Sequence, residues 1–279
     1  MSWCIGLAFQ ALRPARPWPY AILAPYAPFI DAPNRIGTTA MMLVTVALGA
    51  MSLKAPPSAA QVTPVGARLE EGRSCYVLQI KAADALRPIG RTLQIVRRER
   101  VDGRQVIRVI VHQQLQNGAF DVRDDFLLAT TDLRPLRYES RSHGKVTVDV
   151  TYRADGVSGY RVTKDGDRNA LSAALEGPVW EGNLWGAVFA ALPLSQDAQL
   201  TLPFWHYEKG LGRFAIQVVG EDTVAVSSGD VAAWVVEASD GSGPSVTYRF
   251  AKDNGRELAY TMGGFTQTLG GDCAGLPDA

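Results

Sequence analysis

Polar and apolar residues alternate along most of the chain in short runs broken by glycine, asparagine and aspartate. KVTVDVTY (145–152) is the clearest case. Val146, Val148 and Val150 fall on one face of a strand, and Thr147, Asp149 and Thr151 on the other. Asp155-Gly156 then turns the chain into VSGYRVTK, which stops at Asp165-Gly166. Upstream, CYVLQI (75–80) is apolar and β-branched. RTLQIVRRERV and QVIRVIVHQQL flank the turn pair Asp102-Gly103, and AFDVRDDFLLAT follows Asn117-Gly118. GRFAIQVVGEDTVAV, DVAAWVVEAS, PSVTYRFAK and RELAYTMGGFTQTL repeat the habit in the second half, with Asn254-Gly255 closing the last hairpin. Connections this short cannot carry crossovers, so the pattern predicts an antiparallel meander.

The two halves echo each other. ATTDLRPLRY (129–138) and AKDNGRELAY (251–260) share Ala, a turn-forming Asp or Asn, Arg, Leu and Tyr at matching offsets. Both read as strand–turn–strand junctions whose Leu and Tyr, two residues apart, share one face. A duplication and similar local needs both account for the match.

One stretch breaks the strand rhythm. In WEGNLWGAVFAALPL (180–194), Trp180, Leu184, Val188 and Leu192 recur every four residues, and Trp185 and Phe189 widen the stripe. Gly182, Gly186 and Ala190 form a second line of small side chains that permits close approach, and Pro193 ends the helix. So short a helix needs a surface to lie on. A sheet of many twisted strands curls and offers a concave apolar face. The expectation is a mainly β protein: one curled antiparallel sheet, an open half-barrel, with a single amphipathic helix across its hollow. Trp180, Leu184, Trp185, Val188, Phe189, Trp205 and Trp234 then either line an apolar cavity or form a packed core.

The N-terminal region changes where this domain is expected to reside. Arg35 precedes an uncharged apolar run over residues 40–53, followed by Pro56, Pro57 and Ser58-Ala59-Ala60. That order is the layout of a secretory signal, cleaved after Ala60. Its 14 apolar residues fall short of the roughly 20 that span a membrane, the alternative being an uncleaved anchor. Residues 1–34, rich in Pro, Trp and Tyr, are a disordered extension, or synthesis starts at Met41 or Met42. The expected organisation is therefore a signal over 35–60, a linker over 61–72, the half-barrel over 73–273 and a tail over 274–279. Composition fits a globular chain, 47% hydrophobic and 20% charged with no net charge. Removing residues 1–60 takes four basic residues and one acidic, leaving a charge near −3 and no polyanion field. Six arginines between Arg91 and Arg108 are expected mostly on a solvated strand face. Nucleic acid is not an expected partner.

Cleavage would leave two cysteines, Cys75 and Cys273. In an exported domain they read as one disulfide joining the first strand to the tail, or else as two unrelated buried thiols. Chemistry is sparse. His112, His143 and His206 lack metal-ligand spacing, so no metal or cofactor is expected. In HYE (206–208) the imidazole and carboxylate share a face, as a surface pair or an acid–base couple. GVSGY (156–160) lacks the last glycine of a hydrolase elbow and lies on a hairpin. Asp124 and Asp125 point to opposite faces, which makes them poor partners for paired-carboxylate catalysis.

The segment DDFLLATTDLRPLRYESRSHGKVTVDVTYRADGVSGY resembles the middle of a family of uncharacterised exported domains, with a T-x-x-P-L/R corner before two meander strands. LPLSQDAQLTLPFW, VVGEDTVAVSSGDVAAWVVEA and VTYRFAKDNGRELAYTM continue that layout in order. The resemblance implies a periplasmic open half-barrel similar to the lipoprotein carriers of the LolA and LolB type. From it follows the expectation of a non-catalytic protein holding a lipid or acyl chain beneath the helix. The alternative is an envelope structural or interaction protein with a filled core and a protein partner. Either would be periplasmic with peripheral or no membrane association after cleavage, or anchored in the inner membrane if the signal is retained.

Overall fold

The computed structural model describes residues 59–82 and 85–277. The stretch expected as an extension (1–34) and all but the last two residues of the stretch expected as a signal (35–60) lie outside those residues; Ala60 opens the first strand and pairs with Leu200. Among those described, sixteen strands form one sheet. They are β1 (Ala60–Gln61), β2 (Gly72–Ala82), β3 (Ala85–Val101), β4 (Arg104–Leu115), β5 (Phe120–Ala129), β6 (Pro135–Ser142), β7 (Lys145–Tyr152) and β8 (Gly156–Val162). The rest are β9 (Arg168–Ala174), β10 (Trp180–Glu181), β11 (Gln199–His206), β12 (Gly210–Val226), β13 (Gly229–Ser239), β14 (Val246–Ala251), β15 (Glu257–Met262) and β16 (Phe265–Leu269). The fold is mainly β, one open sheet not closed into a barrel.

The strand order joins two meanders. β11 through β16 run as consecutive neighbours, β16 then pairs antiparallel with β2, and β2 through β9 follow in turn. A disulfide between Cys75 on β2 and Cys273, just past β16, ties the same junction across a sequence separation of 198 residues. β1 and β10 pair in parallel with β11, along Leu200–Thr201 and Phe204–Trp205, and cover its outer edge. Pro203, which has no N–H to give, falls between these two contacts.

The sheet curls. The end of β11 and the residues after it lie many strands away from β6, β7 and β8. Yet the rings of Tyr152 and Trp205 meet edge to face at 5.7 Å, and those of Tyr138 and Tyr207 approach to 6.1 Å. Arg161 on β8 reaches Glu208 at 3.4 Å. Only a bent sheet brings these groups together. Its inner face carries the main apolar cluster, with Leu78, Ile107, Val109, Phe126, Val148 and Val150 on one half and Leu202, Phe214, Val236 and Tyr248 on the other.

Across the inner face lies α1 (Trp185–Ala190), six residues long and wholly buried. It is shorter than its four-residue periodicity implies. Trp180 and Glu181 are taken by β10, and the backbone leaves the helical range at Ala191 (φ −89°, ψ 0°) before Pro193 is reached. The stripe of Trp180, Leu184, Val188 and Leu192 is nonetheless buried throughout.

Several local expectations change. RELAYTMGGFTQTL is two strands, β15 and β16, divided at Gly263-Gly264, so Asn254-Gly255 joins β14 to β15. The stretch expected as a linker is docked: Val65 N–H donates to Ala191 O at 2.9 Å, and the Arg68 guanidinium donates to Leu192 O at 2.8 Å. The tail is docked too, with Leu276 buried in a small outer cluster beside Leu93 and Cys273. Of the six arginines, three are half-buried. Arg91 donates to Ala274 O at 2.9 Å, and Arg108 sits between Glu99 and Asp125 at 2.7 and 2.8 Å.

The sequence echo corresponds to two corners built alike. Ala129 N–H donates to Arg134 O at 2.9 Å, and Ala251 N–H to Arg256 O at 2.8 Å. Leu133 N–H returns to Ala129 O, and Gly255 N–H to Ala251 O, both residues having positive φ (57° and 75°). The Asp132 carboxylate accepts from Arg134 N–H at 3.2 Å, as the Asn254 amide oxygen accepts from Arg256 N–H at 3.0 Å. The register then slips at the same place, leaving Leu136 and Leu258 out of the ladder. Such slips reverse the alternation that follows. Leu258 therefore packs outside with Ala233 and Ala251, whereas Tyr138 and Tyr260 enter the main core, so Leu and Tyr do not share a face.

Replacing Cys75 and Cys273 together by alanine is expected to cost up to about 5 kcal/mol in urea unfolding, the chain-entropy value for so long a loop. A thiol titration of denatured, unreduced protein should detect neither residue.

Candidate functional site

The space under α1 is the first candidate, and rings fill it. Trp185 meets Phe214 at 4.6 Å and Phe189 at 5.9 Å, and Phe189 in turn meets Phe214 at 5.3 Å and Tyr248 at 5.7 Å. Phe204 stacks on Phe214 at 4.3 Å, and Tyr248 continues to Phe250 and Tyr260. Each contact is an offset or edge-on approach of the sort aromatic pairs favour. Of the seven residues singled out in the sequence, Leu184, Trp185, Val188 and Phe189 sit together in this cluster. Trp180 is buried at its start, with its indole N–H donating to Asp132 O at 2.8 Å. Trp205 is buried farther along β11 against Tyr152. Trp234 is half-buried and packs against the margin of the same core, with the Lys252 ammonium 3.9 Å from its ring centre.

A cavity of about 20 Å³, enough for one water, lies between α1 and the sheet, and a second of about 150 Å³ runs along Gly186, Ala187 and Ala190 beside β2, β3 and the corner at Asn254–Glu257. Six polar residues, Thr92, Gln94, Gln113, Asp124, Asn183 and Gln267, share the lining of the first with apolar ones such as Val111, Val122, Phe126 and Leu184. That polar floor had no signal in the alternation. Three carboxyls belong to it or adjoin it, all buried and, among the described residues, none within ion-pair distance of a cation. Asp124 accepts from Tyr138 O–H at 3.1 Å, and burial raises its pKa. Glu181 accepts from the Tyr152 hydroxyl and from the Asn183 backbone N–H (3.1 Å) and side-chain amide (2.7 Å), and burial pushes its pKa up to about 7. Glu257 also rises to about 7 through burial. Its Oε1 accepts from Gln267 at 2.9 Å, while Oε2 lacks a hydrogen-bond partner among the described residues.

The register slip at Leu258 puts Glu257 there, opposite Phe250 on the inner face. α1 comes so close that a Cβ on Gly186 would lie 1.8 Å from Glu257 Oε2. The line of small residues in the helix is therefore what lets it settle over a carboxyl. At its far end, Gly255 meets Ala190 O in the same manner, leaving 2.4 Å for a Cβ.

The second candidate is an open groove of about 870 Å³ on the outer face, between the docked tail and the β6–β7 turn. Arginines and carboxylates alternate along it. Asp125 is shared by Arg108 and Arg123, and Glu139 by Arg137 and Arg141, with His112 on Asp121 at 2.9 Å. The charges largely cancel in place. Asp124 and Asp125 do point to opposite faces, one to each candidate site.

His206 is buried, contrary to a surface HYE pair. Its Nδ1 accepts from Glu208 N–H at 3.0 Å, its ring stacks on Tyr207, and the Glu208 carboxylate turns to Arg161 instead. Burial lowers the imidazole pKa to about 3, so the ring is neutral at physiological pH. Among the described residues no group of three or more His, Cys, Asp or Glu side chains could hold a metal ion. No helix there is long and apolar enough to cross a membrane.

With fold and candidate sites described, the comparisons with known proteins place the chain. It belongs to the family described as protein of unknown function (DUF3108), whose match covers residues 75–261. No curated protein and no solved structure matches it.

Glu181 and Glu257 hold their protons in the folded state up to about pH 7 but release them near 4.5 when unfolded. Their contribution is thus complete below pH 4.5 and lost as pH rises through 7. Urea unfolding should show falling stability from pH 5 to pH 8, and Glu257→Gln should flatten that slope by roughly 3 kcal/mol at most. Trp185→Ala should cost about 3–5 kcal/mol, the range for a fully packed large ring.

Proposed function

We propose that this member of the DUF3108 family is a non-catalytic interaction module of the cell envelope. Its half-barrel is filled by its own helix, and it works through its outer surface and edges. The observation that carries this reading is the interlocked ring cluster under α1, beside a cavity with space for one water. Neither that cavity nor the one of about 150 Å³ beside the helix reaches the roughly 300 Å³ at which ligand pockets begin. His206, on which a hydrolytic role would depend, is neutral and spends Nδ1 on a neighbouring backbone amide. The Cys75–Cys273 disulfide supports an oxidising compartment, as the signal layout does.

The carrier reading, drawn from likeness to the LolA and LolB type, requires α1 to swing off the sheet. The seat of the helix is the feature that favours it. Ionising Glu257 under Gly186 would place an unpaired charge beneath α1 and loosen it.

Native mass spectrometry of the purified protein decides between them. The interaction module should carry no co-purifying lipid, and its tryptophan fluorescence should not respond to fatty-acyl probes at pH 6 or pH 8. A bound lipid, or quenching that grows with pH, establishes the carrier instead.

A further inference from the structure

We infer that β9 pairs antiparallel with β9 of a second copy of this chain, about a two-fold axis at Leu171. The inference goes beyond the filled-interior reading, since it holds whether or not α1 ever leaves the sheet.

The two edges of the sheet are treated differently. β11 is covered by β1 and β10, and carries Pro203 in the gap between them. β9 is hydrogen-bonded to β8 on one side and has no strand on the other among the described residues. Edge strands left open usually carry a proline, lysine, inward-pointing charge or bulge that prevents pairing. RNALSAA has none of these, and its register with β8 is unbroken over seven residues. Its one charge, Arg168, stacks on the Tyr160 ring at 4.5 Å. The row of main-chain groups is thus available, unobstructed and flanked by small side chains.

The apolar layer also runs out to this edge. Leu171 and Ala173 are half-buried and pack on the main core from its last strand. A neighbouring strand would continue that layer.

The sequence fits its own copy. With Leu171 opposite Leu171 of the second copy, Ala170 faces Ser172, Asn169 faces Ala173, and Arg168 faces Ala174. No like charges or bulky pairs meet across such a ladder. Glu176, exposed in the bend just past the strand, lies at the end of the ladder where Arg168 of the other copy would stand, and its charge is opposite. The contact is isologous and closes at two subunits, so it does not propagate into fibres.

Sedimentation equilibrium of the purified full chain tests the pairing. Ala170 and Ser172 are exposed and share the face opposite Leu171, so charges placed there leave the core alone. The native protein should show a concentration-dependent monomer–dimer equilibrium. Ala170→Lys with Ser172→Lys sets like charges across both outer pairs and should weaken association roughly tenfold or more. Ala170→Lys with Ser172→Glu sets opposite charges there and should retain or strengthen it, with thermal melts confirming that both variants fold. A native chain that stays monomeric overturns the proposal. So does association that both variants leave intact or both abolish.

Discussion

An open sheet with one apolar face needs a cover, and the described residues hold very little chain outside the strands with which to make one. A single crossing segment, from Trp180 to Leu192, runs over the inner face between the two meanders. Its helical part contributes Trp185, Val188 and Phe189, and the sheet answers with Phe214, Tyr248 and Tyr260. Buried rings supply most of what can hold six helical residues in place, because so short a helix has almost no stability of its own. The same tight seating makes the interior small, traps Glu257 without a counter-charge among the described residues, and leaves the outer face and the β9 edge as the surfaces open to contact there.

The two matching corners show how that segment is held. One offers Asp132 O to the Trp180 indole at the entry, and the other brings Gly255 against Ala190 O at the exit. Their shared hydrogen bonds, positive-φ residue and register slip form a single design used twice. The docked stretch after β1 adds a third hold, since Arg68 and Val65 bind carbonyls just past the helix.

Much of this was legible in the sequence, and what was not has a physical cause. Val146, Val148 and Val150 announce their strand because alternation is local, and turn pairs such as Asp102-Gly103 mark hairpins for the same reason. Of the two readings of Cys75 and Cys273, a bridge or separate thiols, the geometry holds the bridge that an expected export favoured. The junction of β16 with β2 left no trace, because partners so far apart in sequence impose no short-range pattern. Helix length was overread because Trp180 obeys the helical period while its backbone pairs with Phe204 on β11. The polar floor was hidden by the slip at Leu258, which turns Glu257 inward against the parity of Tyr260. His206 looked like a surface residue since nothing in HYE reports that Tyr207 and the strand end enclose it.

The position of β16 has a consequence for how the molecule comes into being. The last of the described strands in chain order is an interior strand, flanked by β15 and by β2. Until it is delivered, β2 keeps a raw margin and the two meanders have no common ladder. A polypeptide emerging N-terminus first cannot close this seam until Phe265–Leu269 has appeared. A premature stop before Phe265 would therefore not trim the protein but unzip it down the middle.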